Sequence, residues 1–249
     1  MRVGVSQRHI SFVESGRAKP SRELLMNWLH ELDAPLVVRN AAMLQAGYAP
    51  AYSTAKLNEP VLAKANDALI QLITSHDPQP AFVLDALWNV LHINRAGQWL
   101  AATLMPQVAA RLSHSSAAGT PLNLLDLLVH PEGFTRCMTN LSEVGPALLA
   151  QLRDEASVQP RLTPKAEAFA TLLQGRLHGQ HLHTMWKTQA APVLTSRFAT
   201  AHGPLAFFSI FSTFGTPQDI TLASLRVEHM FAADAATREL LQKQVPQHA

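Results

Sequence analysis

The first 49 residues carry a helical pattern of apolar and polar positions. Ser6 and Ser21 each precede a run in which apolar residues recur every three or four positions, as an N-cap followed by an amphipathic helix would give. Gly16 separates the two runs, because glycine adopts at little cost the left-handed conformation that ends a helix. A third such run follows. The pattern predicts an all-α segment over residues 1–49 and a linker after it.

From residue 57 to the end, runs with the helical spacing of apolar residues are interspersed with runs that have the composition and length of strands. Helical runs dominate the middle of this region, and Gly145-Pro146 is a point where one long helix could be interrupted. The strand-like runs are residues 81–84, 89–93, 193–199, 205–213 and 222–231. Two strands, an insertion of helices and then three strands predict an α+β domain over residues 57–249, with a five-stranded antiparallel sheet in the strand order of a PAS-like domain.

Composition sets the class of protein without revealing its chemistry. Of the 249 residues, 47% are hydrophobic and 15% are charged, a globular balance that can fill a core. The single cysteine, Cys137, excludes a disulfide within the chain and a multi-cysteine zinc site. No run approaches the ~18 consecutive apolar residues of a membrane span. We therefore expect a soluble, cytoplasmic protein without a membrane segment.

The charge is distributed unevenly along the chain. Residues 1–22 hold five basic residues and one acidic residue, a net charge of +4, whereas the remainder carries −2. A basic end on a weakly acidic body is typical of a nucleic-acid contact attached to another domain. A solvated basic tail would give the same numbers, so charge alone leaves both interpretations open.

The segment GVSQRHISFVESGRAKPS resembles the second half of the helix-turn-helix of XRE-family bacterial repressors. In that family a polar recognition helix faces the base edges, and a cationic loop after it reaches the phosphates. The resemblance implies a double-stranded DNA partner. The residues that it places at the DNA are Ser6, Gln7, Arg8, Ser11, Arg17 and Lys19.

A complete domain of the XRE type has two helices before the turn, where this chain has only Met1-Arg2-Val3. We expect a misassigned start, a truncated gene or a fragment. The chain as it stands is then expected to bind DNA weakly or not at all, and about 25–35 upstream residues would restore specific binding.

The segments AFVLDALWNVLHINRAGQWL, NLLDLLVHPEGF and FFSIFSTFGTPQDITLASLRVEHMFAADAATRELL are similar to the ligand-binding domain of MmyB-like transcription regulators. In that family the domain follows an XRE helix-turn-helix, at the spacing seen here. The resemblance implies a small hydrophobic ligand, since a member of the group holds a fatty acid in its PAS-like cavity. No cofactor is expected beyond such a bound fatty acid.

A cavity for an acyl chain needs apolar walls and one polar or cationic group for the head. The apolar candidates lie in the predicted strands and the adjoining helices, and each is equally explained as ordinary core. Asn94 is the best single polar candidate, although a helix cap explains it as well, and Arg197 lies in a window free of Asp and Glu. The predicted ligand-binding residues are Val83, Trp88, Asn94, Trp99, Leu100, Leu125, Leu128, Phe134, Arg197, Phe208, Ile210 and Phe214.

Catalytic and metal-binding signatures are weak. The sequence has no G-x-S-x-G elbow, no glycine-rich phosphate loop and no H-E-x-x-H motif. His178, His181 and His183 form the densest histidine group, but no Asp or Glu stands near them in sequence to act as a ligand or to orient the rings. We predict no catalytic residues and no metal site.

These observations together predict a transcription regulator, not an enzyme, whose PAS-like domain senses a small hydrophobic molecule. A homodimer is expected, because helix-turn-helix modules read two half-sites about one turn of DNA apart. The alternative is an interaction protein, in which the PAS-like domain serves dimerisation or partner docking and holds no ligand.

Overall fold

The computed structural model describes residues 6–114, 122–177 and 193–245, and of residues 111–114 it describes the backbone alone. The chain divides into two compact units. The first contains the residues up to Ala65 together with Phe214–Ser224, and the second contains Asn66–Thr213 and the residues from Leu225 onward. Residues 50–56, the predicted linker, thus lie inside the first unit, which a segment from late in the chain also joins.

The first unit is helical. Ser6 and Ser21 cap their helices as the pattern predicts: the Ser6 hydroxyl accepts from the amide of His9, and that of Ser21 accepts from the amide of Leu24. Gly16 follows the first helix with a φ of 71°. Its helices are α1 (Gln7–Glu14), α2 (Arg22–Glu31), α3 (Leu36–Gln45) and the short α10 (Ile220–Ser224).

Residues 50–56, predicted to be a linker, are held in place within this unit. The buried carboxylate of Asp219 accepts hydrogen bonds from the Ser53 hydroxyl at 2.7 Å and from the Ala55 amide at 3.1 Å. Burial alone would raise the pKa of Asp219, but these bonds and two further backbone amides lower it below its usual value. One carboxylate thus joins two segments that lie more than 160 residues apart in sequence.

The second unit is built on a five-stranded antiparallel sheet in the order β2-β1-β5-β4-β3, so the prediction of an α+β fold with such a sheet is confirmed. Its strands are β1 (Ala81–Leu84), β2 (Val90–Ile93), β3 (Ser196–Thr200), β4 (Gly203–Thr213) and β5 (Arg226–Ala232). Its helices are α4 (Ala63–Ser75), which begins just before the unit, α5 (Arg95–Leu104), α6 (Pro106–His114), α7 (Leu124–Val129), α8 (Leu141–Val158), α9 (Thr163–Arg176) and α11 (Ala235–Gln244).

One predicted element differs from the structure. Residues 222–231 were expected to be one strand, but 220–224 are helical and β5 begins at Arg226. The sequence left open whether Gly145-Pro146 divides this helix in two, and α8 continues through both residues. A side chain at Gly145 would place its Cβ 2.5 Å from Leu173, so this glycine allows α9 to pack closely against α8. The buried packing around Pro146 offsets the hydrogen bond that a proline removes from a helix.

Candidate ligand-binding site

A cavity of about 510 Å³ lies within the second unit. Its size falls in the range of small-molecule sites, and apolar side chains form most of its wall. One face of the sheet contributes Phe82 and Met230, and α5, α7 and α8 supply the leucines opposite. The apolar residues that line it are Phe82, Trp88, Ile93, Leu100, Ala101, Leu104, Met105, Leu122, Leu124, Leu125, Leu127, Leu128, Phe134, Met138, Val144, Ala147, Leu148, Val193, Leu194, Phe198, Phe208, Ile210, Phe211 and Met230.

The polar residues of the described wall are Gln151, Ser196, Ser209 and Glu228. Glu228 on β5 is half-buried, and its Oε1 accepts a hydrogen bond of 2.7 Å from the Ser209 hydroxyl on β4. Burial raises the pKa of the Glu228 carboxyl above its usual value, although the Ser209 hydrogen bond and the charge of Arg226 oppose the shift. The wall therefore combines a large apolar surface with one carboxyl group that is costly to ionise.

Arg226, Glu155 and Trp88 form a packed cluster beside the cavity. Arg226 donates to both carboxylate oxygens of Glu155, at 2.9 and 3.2 Å, and its guanidinium lies 3.9 Å from the centroid of the Trp88 ring. Burial alone would raise the pKa of Glu155, but hydrogen bonds from Arg226, Gln151 and Trp88 lower it below its usual value. The guanidinium charge is therefore balanced within the protein, close to the cavity wall.

Trp88 adopts a backbone conformation that is unusual for a bulky residue. It lies in the connection between β1 and β2 with a φ of 66°, in the left-handed region that costs a non-glycine residue roughly 1–3 kcal/mol. Its indole Nε1 donates to Glu155 at 2.9 Å, and its ring faces Arg226. These contacts fix the indole in the cavity wall and compensate for the backbone cost.

Seven of the twelve ligand-binding residues that the sequence proposed border the cavity. They are Trp88, Leu100, Leu125, Leu128, Phe134, Phe208 and Ile210. Phe208 and Ile210 border it from the far side of β4, because strand alternation turns their side chains to the sheet face opposite to that of Ser209, Phe211 and Glu228. Phe208 stacks on Phe231 there, with 5.4 Å between the ring centroids.

Asn94 lies outside the cavity wall and has a structural role. Its Oδ1 accepts from the amides of Ala81 and Gly97, at 2.9 and 2.8 Å, and its Nδ2 donates to the carbonyls of Ile73 and Gln79, at 3.0 and 2.7 Å. These four bonds occupy both of its donors and use the carbonyl oxygen twice, so the helix-cap interpretation accounts for this residue.

The remaining four proposed residues lie away from the described wall. Val83 is fully buried, on the opposite side of β1 from Phe82. Trp99 stands near His202, with 5.7 Å between the rings, and Phe214 follows β4 and belongs to the first unit. Arg197 is 53% exposed at its side chain and pairs with Glu143 at 3.1 Å.

Sequence reasoning missed Glu228, Ser209 and Phe211. The sequence contained a sign of these residues in the predicted strands 205–213 and 222–231, because residues two apart in a strand share a face. The β5 register pairs Glu228 with Phe82 on one side and with Phe211 on the other. The position of an acidic residue between apolar residues on one sheet face could therefore be recognised, but only once the register of the strands was known.

The six residues proposed to contact DNA are all exposed in the first unit. The Arg8 guanidinium lies 5.4 Å from the centroid of the Phe12 ring, and the Lys19 ammonium lies 4.7 Å from that of Tyr48. The α1 helix has no fully buried residue. Ile10 and Val13, which the resemblance implies are core residues, are half-buried.

Two absences hold for the described residues. Within them, no helix is long and apolar enough to cross a membrane. Over the same residues, no group of three or more His, Cys, Asp or Glu side chains is placed to hold a metal ion. The histidine group of His178, His181 and His183 lies outside the described residues.

A five-stranded antiparallel sheet with helices on it and an apolar cavity against one face defines a small-molecule-binding domain. Residues 65–243 match the family described as the MmyB-like transcription regulator ligand binding domain. None of the curated proteins matches the chain. Because the match covers more than half of its length, the chain belongs to this family, and its ligand-binding domain is that of a transcription regulator.

Proposed function

We propose that this protein is a DNA-binding transcription regulator that senses a fatty acid or a similar acyl molecule in the cavity of its second unit. The observation that carries the proposal is the cavity of about 510 Å³ with its predominantly apolar wall. Burial of apolar surface in a preformed cavity favours a hydrophobic ligand. The family match supports a regulatory purpose for such binding.

The proposed DNA contact rests on the first unit. Its α1 helix presents Gln7, Arg8 and Ser11 to solvent, and Arg17 and Lys19 follow in the next turn. Polar residues on an exposed helix, followed by cations, suit base edges and phosphates respectively. In a homodimer, ligand occupancy would change operator affinity by favouring one of two arrangements of the recognition helices.

A series of fatty acids of increasing length tests the cavity directly. Each methylene buried contributes about 0.8 kcal/mol, so two methylenes should strengthen binding by roughly fifteenfold before ordering costs reduce the gain. Affinity should rise steeply with length and then fall where the chain exceeds the cavity. Titration calorimetry measures the series, and native mass spectrometry of protein purified without added lipid detects a bound acid.

The absence of both a bound lipid and any shift in melting temperature with medium and long acyl chains would contradict the sensor proposal. The docking module, in which this domain binds a protein partner and no ligand, would then be the better interpretation.

The DNA proposal predicts different effects for two kinds of substitution. Measured on the chain preceded by the upstream helices that the XRE resemblance implies, Arg17→Ala should weaken binding to all duplexes alike. It should also reduce the slope of log affinity against log salt by about 1, because one phosphate contact is lost. Gln7→Ala should instead alter the preference among sequences. Fluorescence anisotropy over a range of salt concentrations measures both effects.

Arg153→Ala is the matched control, since this arginine is exposed on α8 and pairs with Glu167 in the second unit. An equal loss of affinity in Arg153→Ala and Arg17→Ala would show that general charge, rather than α1 and its loop, attracts the DNA.

A further inference from the structure

Glu228 is an unusual residue to find in an apolar cavity wall. Its Oε1 accepts from Ser209, whereas Oε2 has no hydrogen-bond partner among the described residues. The neighbours across the sheet at this position are Phe82 on β1 and Phe211 on β4. The carboxyl group therefore offers one oxygen without a hydrogen bond from the described residues, between two aromatic cross-strand neighbours.

The described wall supplies no counter-charge for a carboxylate ligand. It contains no Lys, Arg or His among the residues that the structure describes. Arg226, on the same strand as Glu228, is held by both oxygens of Glu155 from α8. Arg197, the cation expected from the sequence, pairs with Glu143 and lies away from the wall.

We propose that Glu228, positioned by Ser209, forms the head-group subsite of the cavity and selects ligands whose polar end donates a hydrogen bond. A fatty alcohol meets this requirement directly. A fatty acid meets it only when one proton is shared between its carboxyl group and that of Glu228, because two ionised carboxylates in contact repel each other. This inference rests on the proposed function, since it names the chemistry of the ligand in the same cavity.

The proton balance gives the expected pH dependence. The carboxyl group of a free fatty acid has a pKa well below neutral pH. Above the raised pKa of Glu228, the free acid and the Glu228 side chain of the protein without ligand are therefore both ionised. Forming the complex then takes up one proton, and acid affinity should fall up to tenfold for each pH unit. Below that pKa, Glu228 already carries the shared proton and acid affinity should be flat. The groups that face it are Ser209 on β4, Phe82 on β1, and the Arg226–Glu155 ion pair.

The experiment compares decanoic acid with decanol on the full chain, by calorimetry between about pH 5.5 and about pH 8. Wild type should bind the acid progressively less well as the pH rises above the pKa of Glu228, while its affinity for the alcohol stays nearly constant. Glu228→Gln should bind the acid at least roughly tenfold more tightly than wild type at the highest pH, because the amide donates to a carboxylate without a proton.

Two further variants make the test specific. Glu143→Gln changes an exposed carboxylate away from the cavity and should leave both profiles as in wild type. Ser209→Ala removes the bond that opposes the raised pKa of Glu228, so the decline in acid affinity should begin at a higher pH. This variant also provides a readout in case Glu228→Gln fails to fold, which circular dichroism will show.

The results separate this inference from the proposed function. If wild type, Glu228→Gln and Ser209→Ala bind the acid with the same pH profile, Glu228 is not the head-group subsite, although the cavity still binds acyl chains. If neither decanoic acid nor decanol binds wild type at any pH, the sensor proposal itself is contradicted and the inference falls with it.

Discussion

Leu100→Trp should weaken the binding of an acyl ligand by on the order of 100-fold, because the larger ring displaces about four methylenes, worth roughly 3 kcal/mol of apolar burial. Leu100 is 3% exposed and borders the cavity from α5. The indole can extend into the cavity space, so the cost to folding should be no more than the roughly 1–3 kcal/mol of an overpacked site. Titration of one fatty acid into both proteins, with melting temperatures as a fold check, measures the effect.

Leu72→Trp is the matched control for this prediction. Leu72 lies on α4 of the same unit, is 44% exposed and does not border the cavity, so the same chemical change should leave ligand binding intact. Ala101→Phe, also in the wall, serves as a second blocking variant if Leu100→Trp unfolds. A folded Leu100→Trp protein with wild-type affinity would show that the ligand binds somewhere other than this cavity.

Asn94→Ala should destabilise the second unit by roughly 3–5 kcal/mol, because four backbone groups lose their partner in a buried site. At this chain length the melting temperature should fall by about 10 °C. Ligand affinity of the remaining folded protein should change little, since Asn94 does not border the cavity. Thermal unfolding and titration measure the two quantities separately.

Asp234→Ala is the comparison for the Asn94 prediction. Asp234 caps α11 through one side-chain bond to the amide of Thr237, and loss of an ordinary cap costs about 1 kcal/mol. Equal destabilisation by the two variants would mean that the bonds of Asn94 to Ile73 and Gln79 contribute little. A large loss of ligand affinity at unchanged stability would return Asn94 to the candidate binding residues.

Much of the local structure could be read from the sequence because it depends on neighbouring residues. The caps at Ser6, Ser21 and Asn94 stand where the pattern placed them, since a short polar side chain before an apolar run can bond to the first free amides of a helix. The five strands were recognisable as short β-rich runs bounded by turn residues. Local chemistry was also enough to predict the fold class.

The sequence was less informative wherever a residue's partner lies far away along the chain. Arg197 stands in a window without acidic residues, yet its partner, Glu143, comes from α8. Asp219 gives no local sign that it would hold Ser53 and Ala55 more than 160 residues away. The same limit applies to the candidate site. The packing of the helices against the sheet decided which of the proposed apolar residues face the cavity.

The sequence by itself determined most of the elements and the fold class, because capping, periodicity and turn chemistry act over a few residues. Its resemblance to the MmyB-like regulators indicated the family. The tertiary structure decided the chemistry of the cavity. Only the register of β1, β5 and β4 brings Glu228 between Phe82 and Phe211, within reach of Ser209. The register follows from the burial of whole faces against distant elements, which no local pattern specifies.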